Sequence, residues 1–198
     1  MNFRCALTAV FALAAFQAQT QVLQPRAWPQ EPDSFLGIKF GQPLRASLVE
    51  CPQVTENGYT NYDWPGFGRP CFAPSKGLSG AYDVYNLATF YYTIIYEVNG
   101  KVECITTKFK TLRADAVAQA LTEKFGAAHV DKTVTVQNKM GASFDDHTLT
   151  WRGTNVEIDF DSIGSKVDEG GVWAYTAAYV ESTTRDQKQQ KDAVKGVL

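Results

Sequence analysis

From Phe90 to Val98 apolar residues fill every second position, and after Asn99-Gly100 a second β-rich run leads to Phe109. Alternation marks a half-buried strand, and Asn-Gly tolerates positive φ at both central positions of a tight turn, so this segment predicts a β-hairpin. Pairing outward from the turn sets Val98 opposite Lys101, Tyr96 opposite Glu103, Ile94 opposite Ile105 and Phe90 opposite Phe109. One face then collects Phe90, Tyr92, Ile94, Tyr96, Val98, Ile105 and Phe109. The other carries Tyr91, Thr93, Ile95, Glu97, Val102, Cys104, Thr106 and Lys108, a mixed set. With helices over the first face, the second is expected to stay partly open, with Cys104 beside Ile95 on it.

A second hairpin reads more cleanly. With Gly153-Thr154 as its turn, His147, Leu149, Trp151, Val156, Ile158 and Phe160 share one face, and Thr148, Thr150, Arg152, Asn155, Glu157 and Asp159 share the other. That division predicts an antiparallel sheet with one wet side. Short alternation from Thr133 to Val136 adds a strand before it, and Trp173, Tyr175 and Tyr179 alternate in a last strand from Gly171 to Val180. Between the hairpins the period changes. Leu112, Ala116, Val117, Ala120, Leu121 and Phe125 form the stripe of a helix from Thr111, its candidate cap, to Phe125, with Gly126 as terminator.

Upstream, Phe35-Leu-Gly-Ile-Lys-Phe40 reads as a strand and Gly41-Gln42-Pro43 as a turn. Leu44, Leu48 and Val49 then stripe a short helix that Pro52 ends after Cys51. The segment 21–34 is a Pro-rich lead-in, expected to be extended and exposed. Residues 181–198 are polar and charged, a frayed helix or disordered tail.

The first 20 residues change the picture. Arg4 precedes the apolar run from Cys5 to Phe16, and the small and polar residues Gln17-Ala18-Gln19-Thr20 follow. This order is that of a secretory signal peptide, cut after Ala18 or after Thr20. The run is too short for the roughly 20 residues of a membrane span. Cys5 stands before the run, where a lipid-anchoring cysteine would not. Cleavage takes Arg4 away and moves the net charge from -2 to -3, which offers no footprint for nucleic acid. A composition of 44% hydrophobic and 13% aromatic residues is enough to fill one core, so the segment 35–180 reads as a single domain.

Export makes disulfides available to Cys51, Cys71 and Cys104. Cys51 and Cys71 are the expected pair because they bracket a loop rich in Gly, Pro and aromatics; three thiols allow three pairings, and one is left over. Zinc does not fit, since no C-x-x-C pair exists and His129 and His147 are remote from the cysteines.

The elements in order predict an α+β fold, an antiparallel sheet with helices packed on one face, in two similar helix-plus-strands halves at about 35–109 and 111–180. The strand and turn from Phe35 to Pro43, with Leu121-Thr-Glu-Lys-Phe-Gly126 closing the later helix, resembles small proteobacterial envelope proteins. These are similar to the β-lactamase-inhibitor-protein-like fold group, which includes the outer-membrane assembly lipoproteins. The resemblance implies an open sheet face used for protein contacts and brings no catalytic residues. The lipid-attachment cysteine of the assembly lipoproteins is not found here.

Chemical motifs are scarce. Gly77-Leu-Ser-Gly80 and Gly141-Ala-Ser143 do not make a nucleophile elbow, and no Walker or dinucleotide fingerprint occurs. The stretch Asp159-Phe-Asp161-Ser-Ile163-Gly164 fails as a calcium loop because Ile163 takes a ligand position. In Asp145-Asp146-His147, the histidine reads as a hydrogen-bonded structural residue, and His129 as a charge near the helix end or a solvent-facing group. No cofactor, metal or catalytic residue is expected.

The function that follows is an exported, non-catalytic protein-binding module of the bacterial envelope, periplasmic or secreted, whose partner is another envelope or secreted protein. Its surface is expected on the loop with Tyr59, Tyr62, Trp64 and Phe67, or on the sheet face near Tyr91, Ile95 and Cys104. The alternative is a small hydrolase or small-ligand-binding protein with a site assembled from residues distant in sequence.

Overall fold

The computed structural model describes residues 28–56, 59–62, 69–85, 87, 90, 92–137 and 140–195. The chain opens with β1 (Ser34–Phe35) and β2 (Ile38–Lys39), followed by a single 3-10 turn at Leu44–Ala46 and then β3 (Val49–Glu50). Next come β4 (Gln53–Glu56), β5 (Tyr59–Tyr62), β6 (Cys71–Pro74), β7 (Ala81–Tyr85), β8 (Tyr92–Val98) and β9 (Lys101–Lys110). Helix α1 (Ala114–Phe125) separates these from β10 (Val130–Gln137), β11 (Ser143–Arg152), β12 (Val156–Asp161), β13 (Glu169–Thr176) and helix α2 (Ala177–Lys195).

Nine strands form one mixed sheet in the order β10-β11-β12-β13-β9-β8-β7-β6-β3, antiparallel throughout except where β3 runs parallel to β6. The pairs β1-β2 and β4-β5 are separate two-stranded sheets. Among the described residues the fold is thus mostly sheet with two α-helices. The expected strand from Phe35 to Phe40 is instead a tight hairpin, because Leu36 and Gly37 both take positive φ, 53° and 80°. The expected helix after Pro43 shrinks to the 3-10 turn, since the chain must extend again to pair β3 with β6. Cys51 and Cys71, at the β3–β6 junction, are joined as a disulfide.

The hairpin at Asn99-Gly100 begins in the expected register, Val98 opposite Lys101, and then departs from it. Glu97 pairs with Val102 but Tyr96 pairs with Cys104, so Glu103 is one residue too many. A β-bulge of this kind turns every later side chain to the opposite face. Its cause is tertiary: the Val102 N–H donates to Gln42 O at 2.8 Å, and Val102 O accepts from Gly41 N at 2.9 Å. A carboxylate oxygen of Glu97 accepts from Leu44 N at 2.7 Å, and the Thr176 hydroxyl donates to Glu103. The loop after β2 is docked where the ladder breaks.

As a result Ile95, not Ile94, faces Ile105, and Thr93 faces Thr107. Ile95, Ile105 and Phe109 join the buried core with Phe35, Ile38, Leu44, Phe72, Trp151, Ile158, Phe160 and Val172. Tyr92, Ile94 and Tyr96 lie on the reverse face, with Cys104.

Helix α1 covers the core face through Val117, Leu121 and Phe125, while Leu112, expected in its stripe, is 86% exposed. Residues 111–113 form a 3-10 turn, and the Thr111 hydroxyl donates to Val167 O rather than capping the helix. Helices were expected on one face only, yet α2, in the segment read as strand end and polar tail, begins on the other. Its Tyr179 ring lies 5.7 Å from that of Tyr96 and 6.4 Å from that of Tyr175. The strand predicted to run to Val180 ends at Thr176, and the polar residues beyond form α2, which has no buried residue.

The lead-in is not free either. Trp28 is 7% exposed, and its indole N–H donates to Phe125 O at 2.9 Å. Trp151 donates likewise to Gly126 O at 2.8 Å, so two indoles satisfy carbonyls that the end of α1 leaves open. Glu31 accepts from Val156 N at 2.8 Å and from Asn155 N, capping the turn between β11 and β12.

Candidate functional site

The second hairpin keeps the expected division into faces, but its loop spans residues 153–156 rather than Gly153-Thr154 alone. The pairing therefore moves by two, with Leu149 opposite Phe160, Trp151 opposite Ile158 and Arg152 opposite Glu157. Alternation buries Leu149, Trp151, Val156, Ile158 and Phe160 and turns the residues between them toward solvent. Across three strands of that hydrated face, Thr150, Asp159 and Trp173 form one row. In the next row are Thr148, Asp161 and Gly171, with Lys132 of β10 opposite Thr148.

Gly171 leaves a gap in its row, and Trp173 fills it. Atoms Cη2, Cζ3 and Cζ2 of the indole lie 2.6, 3.0 and 3.1 Å from the point where a Cβ on Gly171 would stand. Three such similar distances mean that the ring covers the glycine with its face rather than its edge. The indole also borders a groove that Lys132, Thr148, Asp161 and Tyr175 help to line, with a volume of about 350 Å3.

The carboxylates beside the ring differ. Both oxygens of Asp159 accept hydrogen bonds at 2.7 Å, one from the Thr150 hydroxyl and one from the Tyr175 phenol. Burial, and then the Asp159 partner, push the Tyr175 phenol well above its ordinary value, so it stays a donor. For Asp161, burial is again the main effect, with Asp146 and Asp159 adding repulsion and Lys132 opposing it. Its carboxyl is pushed up to about 6. Asp146 is buried at 7% exposure, its Oδ1 accepting from Ser162 Oγ at 3.0 Å and Ile163 N at 2.9 Å. The groove thus carries excess negative charge beside an aromatic plane.

Among the described residues no group of three or more His, Cys, Asp or Glu is placed to hold a metal ion. His147 Nε2 is 2.8 Å from Asp131 Oδ1, the hydrogen-bonded role its sequence context implied. His129 is neither a simple surface charge nor a free ring: its Nδ1 accepts from Arg152 N at 2.9 Å, and the ring meets Trp28 edge to face.

The residues singled out in the sequence are dispersed. Trp64, Phe67 and Tyr91 lie outside the described residues. Tyr59 and Tyr62 are the ends of β5, where the Tyr62 phenol accepts from Gln53 Nε2 at 3.2 Å. Ile95 is 0% exposed on the core face and Cys104 1% on the reverse, so neither presents a surface. The bulge separates them, and Tyr179 hydrogen-bonds the Cys104 thiol, which burial pushes up to about 12.

The groove residues Lys132, Asp161 and Trp173 were not singled out as a site. Their one signal is the alternation itself: Thr148, Thr150 and Asp159 were assigned to the wet face, and Trp173 and Tyr175 interrupt the polarity such a face would have. Compared with known proteins, the chain matches no family model, no curated protein and no solved structure. Among the described residues no helix is long and apolar enough to cross a membrane.

Proposed function

We propose that the chain is an exported, non-catalytic protein-binding module of the bacterial envelope, periplasmic or secreted, and that it receives a basic side chain of its partner on the hydrated face of β11, β12 and β13. The observation that carries this reading is the Trp173 ring, laid face-on over Gly171 beside Asp159 and Asp161. A guanidinium or ammonium stacked on the indole gains a cation–π contact and meets carboxylates at the ring's edge. Only Lys132 opposes that charge in the lining. The shallow groove suits one side chain presented by another surface, and tryptophan anchors of this kind concentrate binding energy in interfaces. In the two-halves description of the domain, this surface belongs wholly to the half spanning 111–180. It is also the use of an open sheet face that the resemblance to envelope proteins implies.

The test is capture of partners from an envelope fraction by tagged protein, followed by cross-link mapping, with Trp173→Ala, Asp161→Asn and Trp64→Ala in parallel. A single partner that is lost with Trp173→Ala and Asp161→Asn, cross-linked to β12 or β13 through a basic segment, supports the proposal. Loss with Trp64→Ala alone moves the surface to the loop and overturns the assignment to this face.

A further inference from the structure

The apolar stripe of α1 is wider than the fold that covers it. Val117, Leu121 and Phe125 are buried, but Ala116 and Ala120 remain exposed. They line a groove between α1 and the β1-β2 hairpin, walled opposite by Phe35, Leu36 and Phe90, with a volume of about 350 Å3. That lies at the small end of the roughly 300–1,000 Å3 typical of ligand pockets. The lining holds no carboxylate and two cations, Arg113 just before the helix and Lys124 in its last turn. At 1.5 Å per residue these are roughly 16 Å apart along the axis and bracket the groove. Among the described residues neither makes a salt bridge. Lys124 Nζ lies 5.3 Å from the centroid of the Phe125 ring, itself part of the wall.

An apolar trough with a cation at each end and no acid is complementary to one kind of molecule. We infer that the groove binds a single-chain amphipathic anion, with an acyl chain laid along Ala116, Ala120 and Phe125 and a carboxylate at Arg113 or Lys124. The volume leaves no room for a second chain. This site is on the core side of the sheet, whereas Trp173 is on the reverse side. Trp173→Ala therefore leaves it intact, and either proposal stands if the other fails.

The experiment is calorimetric titration of the protein with laurate below its micellar concentration, with 1-dodecanol as the uncharged probe. Saturable laurate binding at one site is expected, with dodecanol about tenfold weaker or worse. Ala120→Phe should fill the groove and weaken laurate at least tenfold without moving the melting temperature, since residue 120 is exposed. Arg113→Gln combined with Lys124→Gln should abolish the preference for laurate over dodecanol. Amide shift changes on laurate addition should centre on α1 and Phe35, a readout independent of the variants. The inference is overturned if laurate does not saturate, if dodecanol binds as tightly, or if Ala120→Phe has no effect. Two other occupants would also overturn it. The chain's own residues before Trp28 would show as laurate binding only after their removal, and a second copy as a dimer dispersed by Ala120→Phe.

Discussion

The Trp173 ring occupies the space that a side chain on Gly171 would need, two residues earlier on the same face of β13. Gly171→Ala must therefore lift the indole off the sheet. The expected cost is about 1–3 kcal/mol, the range for overpacking a filled site. In a Trp173→Ala background the same alanine should cost far less, because the atom it strikes is gone. Equal costs in the two backgrounds, measured by urea denaturation, would show that the ring does not rest on the glycine.

Asp161 makes stability depend on acidity in an unusual direction. A carboxyl raised to about 6 in the folded state binds its proton more tightly there than in the unfolded chain. Its contribution is fully present below the ordinary carboxylate value near 4 and is lost as the pH climbs through about 6. Asp161→Asn removes that loss. Discounted for solvent screening to about 1 kcal/mol, the gain is roughly 2–4 °C in melting temperature at pH 7.5, and close to nothing at pH 4.5. An equal gain at both pH values would refute the assignment. A basic partner should show the reverse trend, binding more weakly as Asp161 takes up its proton.

Trp28 anchors a segment that composition alone marks as a tether. Trp28→Ala removes a buried ring and the donor to Phe125 O, at an expected cost of about 3–5 kcal/mol. Trp28→Phe keeps most of the packing and loses only the hydrogen bond, about 1 kcal/mol. Chemical denaturation separates the two, and a cost under 1 kcal/mol for the alanine would mean the lead-in is not part of the core.

Those residues show where local sequence carries information and where it does not. The faces of the hairpin through Gly153 were readable because its alternation is strict and a shift of two residues preserves them; the four-residue loop was not, since Glu31, far away in sequence, binds its N–H groups. The earlier hairpin was readable only near Asn99-Gly100, since the bulge at Glu103 is dictated by Gly41 and Gln42, about sixty residues away. Pro-rich composition hid Trp28, whose burial depends on where α1 ends. The groove at Trp173 draws on four strands, so no window of the sequence contains it. The stripe of α1 was half right: Val117, Leu121 and Phe125 are buried as expected, whereas Leu112, Ala116 and Ala120 are exposed and Ala114 and Ala118 are buried in their place, a shift that depends on what packs over the helix.

The cysteines divide by access. Non-reducing peptide mapping should recover Cys51 linked to Cys71 and Cys104 as a thiol. With a sequence separation of 20 between the linked pair, reduction should cost about 3 kcal/mol through loop-closure entropy. Cys104 should resist alkylation until the protein unfolds, being buried with its thiol pushed up to about 12. Rapid native labelling of Cys104, or recovery of Cys51 and Cys71 as free thiols from exported protein, would contradict this arrangement.

The two rims of the large sheet are unlike. One is β10, eight residues of main chain with an unpaired outer side; the other is β3, two residues long and followed at once by the disulfide to β6. An open rim is a template for another strand, and charged residues such as Asp131 and Lys132 only discourage its use. Among the described residues the large sheet thus has one rim of useful length, and two molecules that meet by strand addition there consume that rim in each. Growth through this rim closes at a pair.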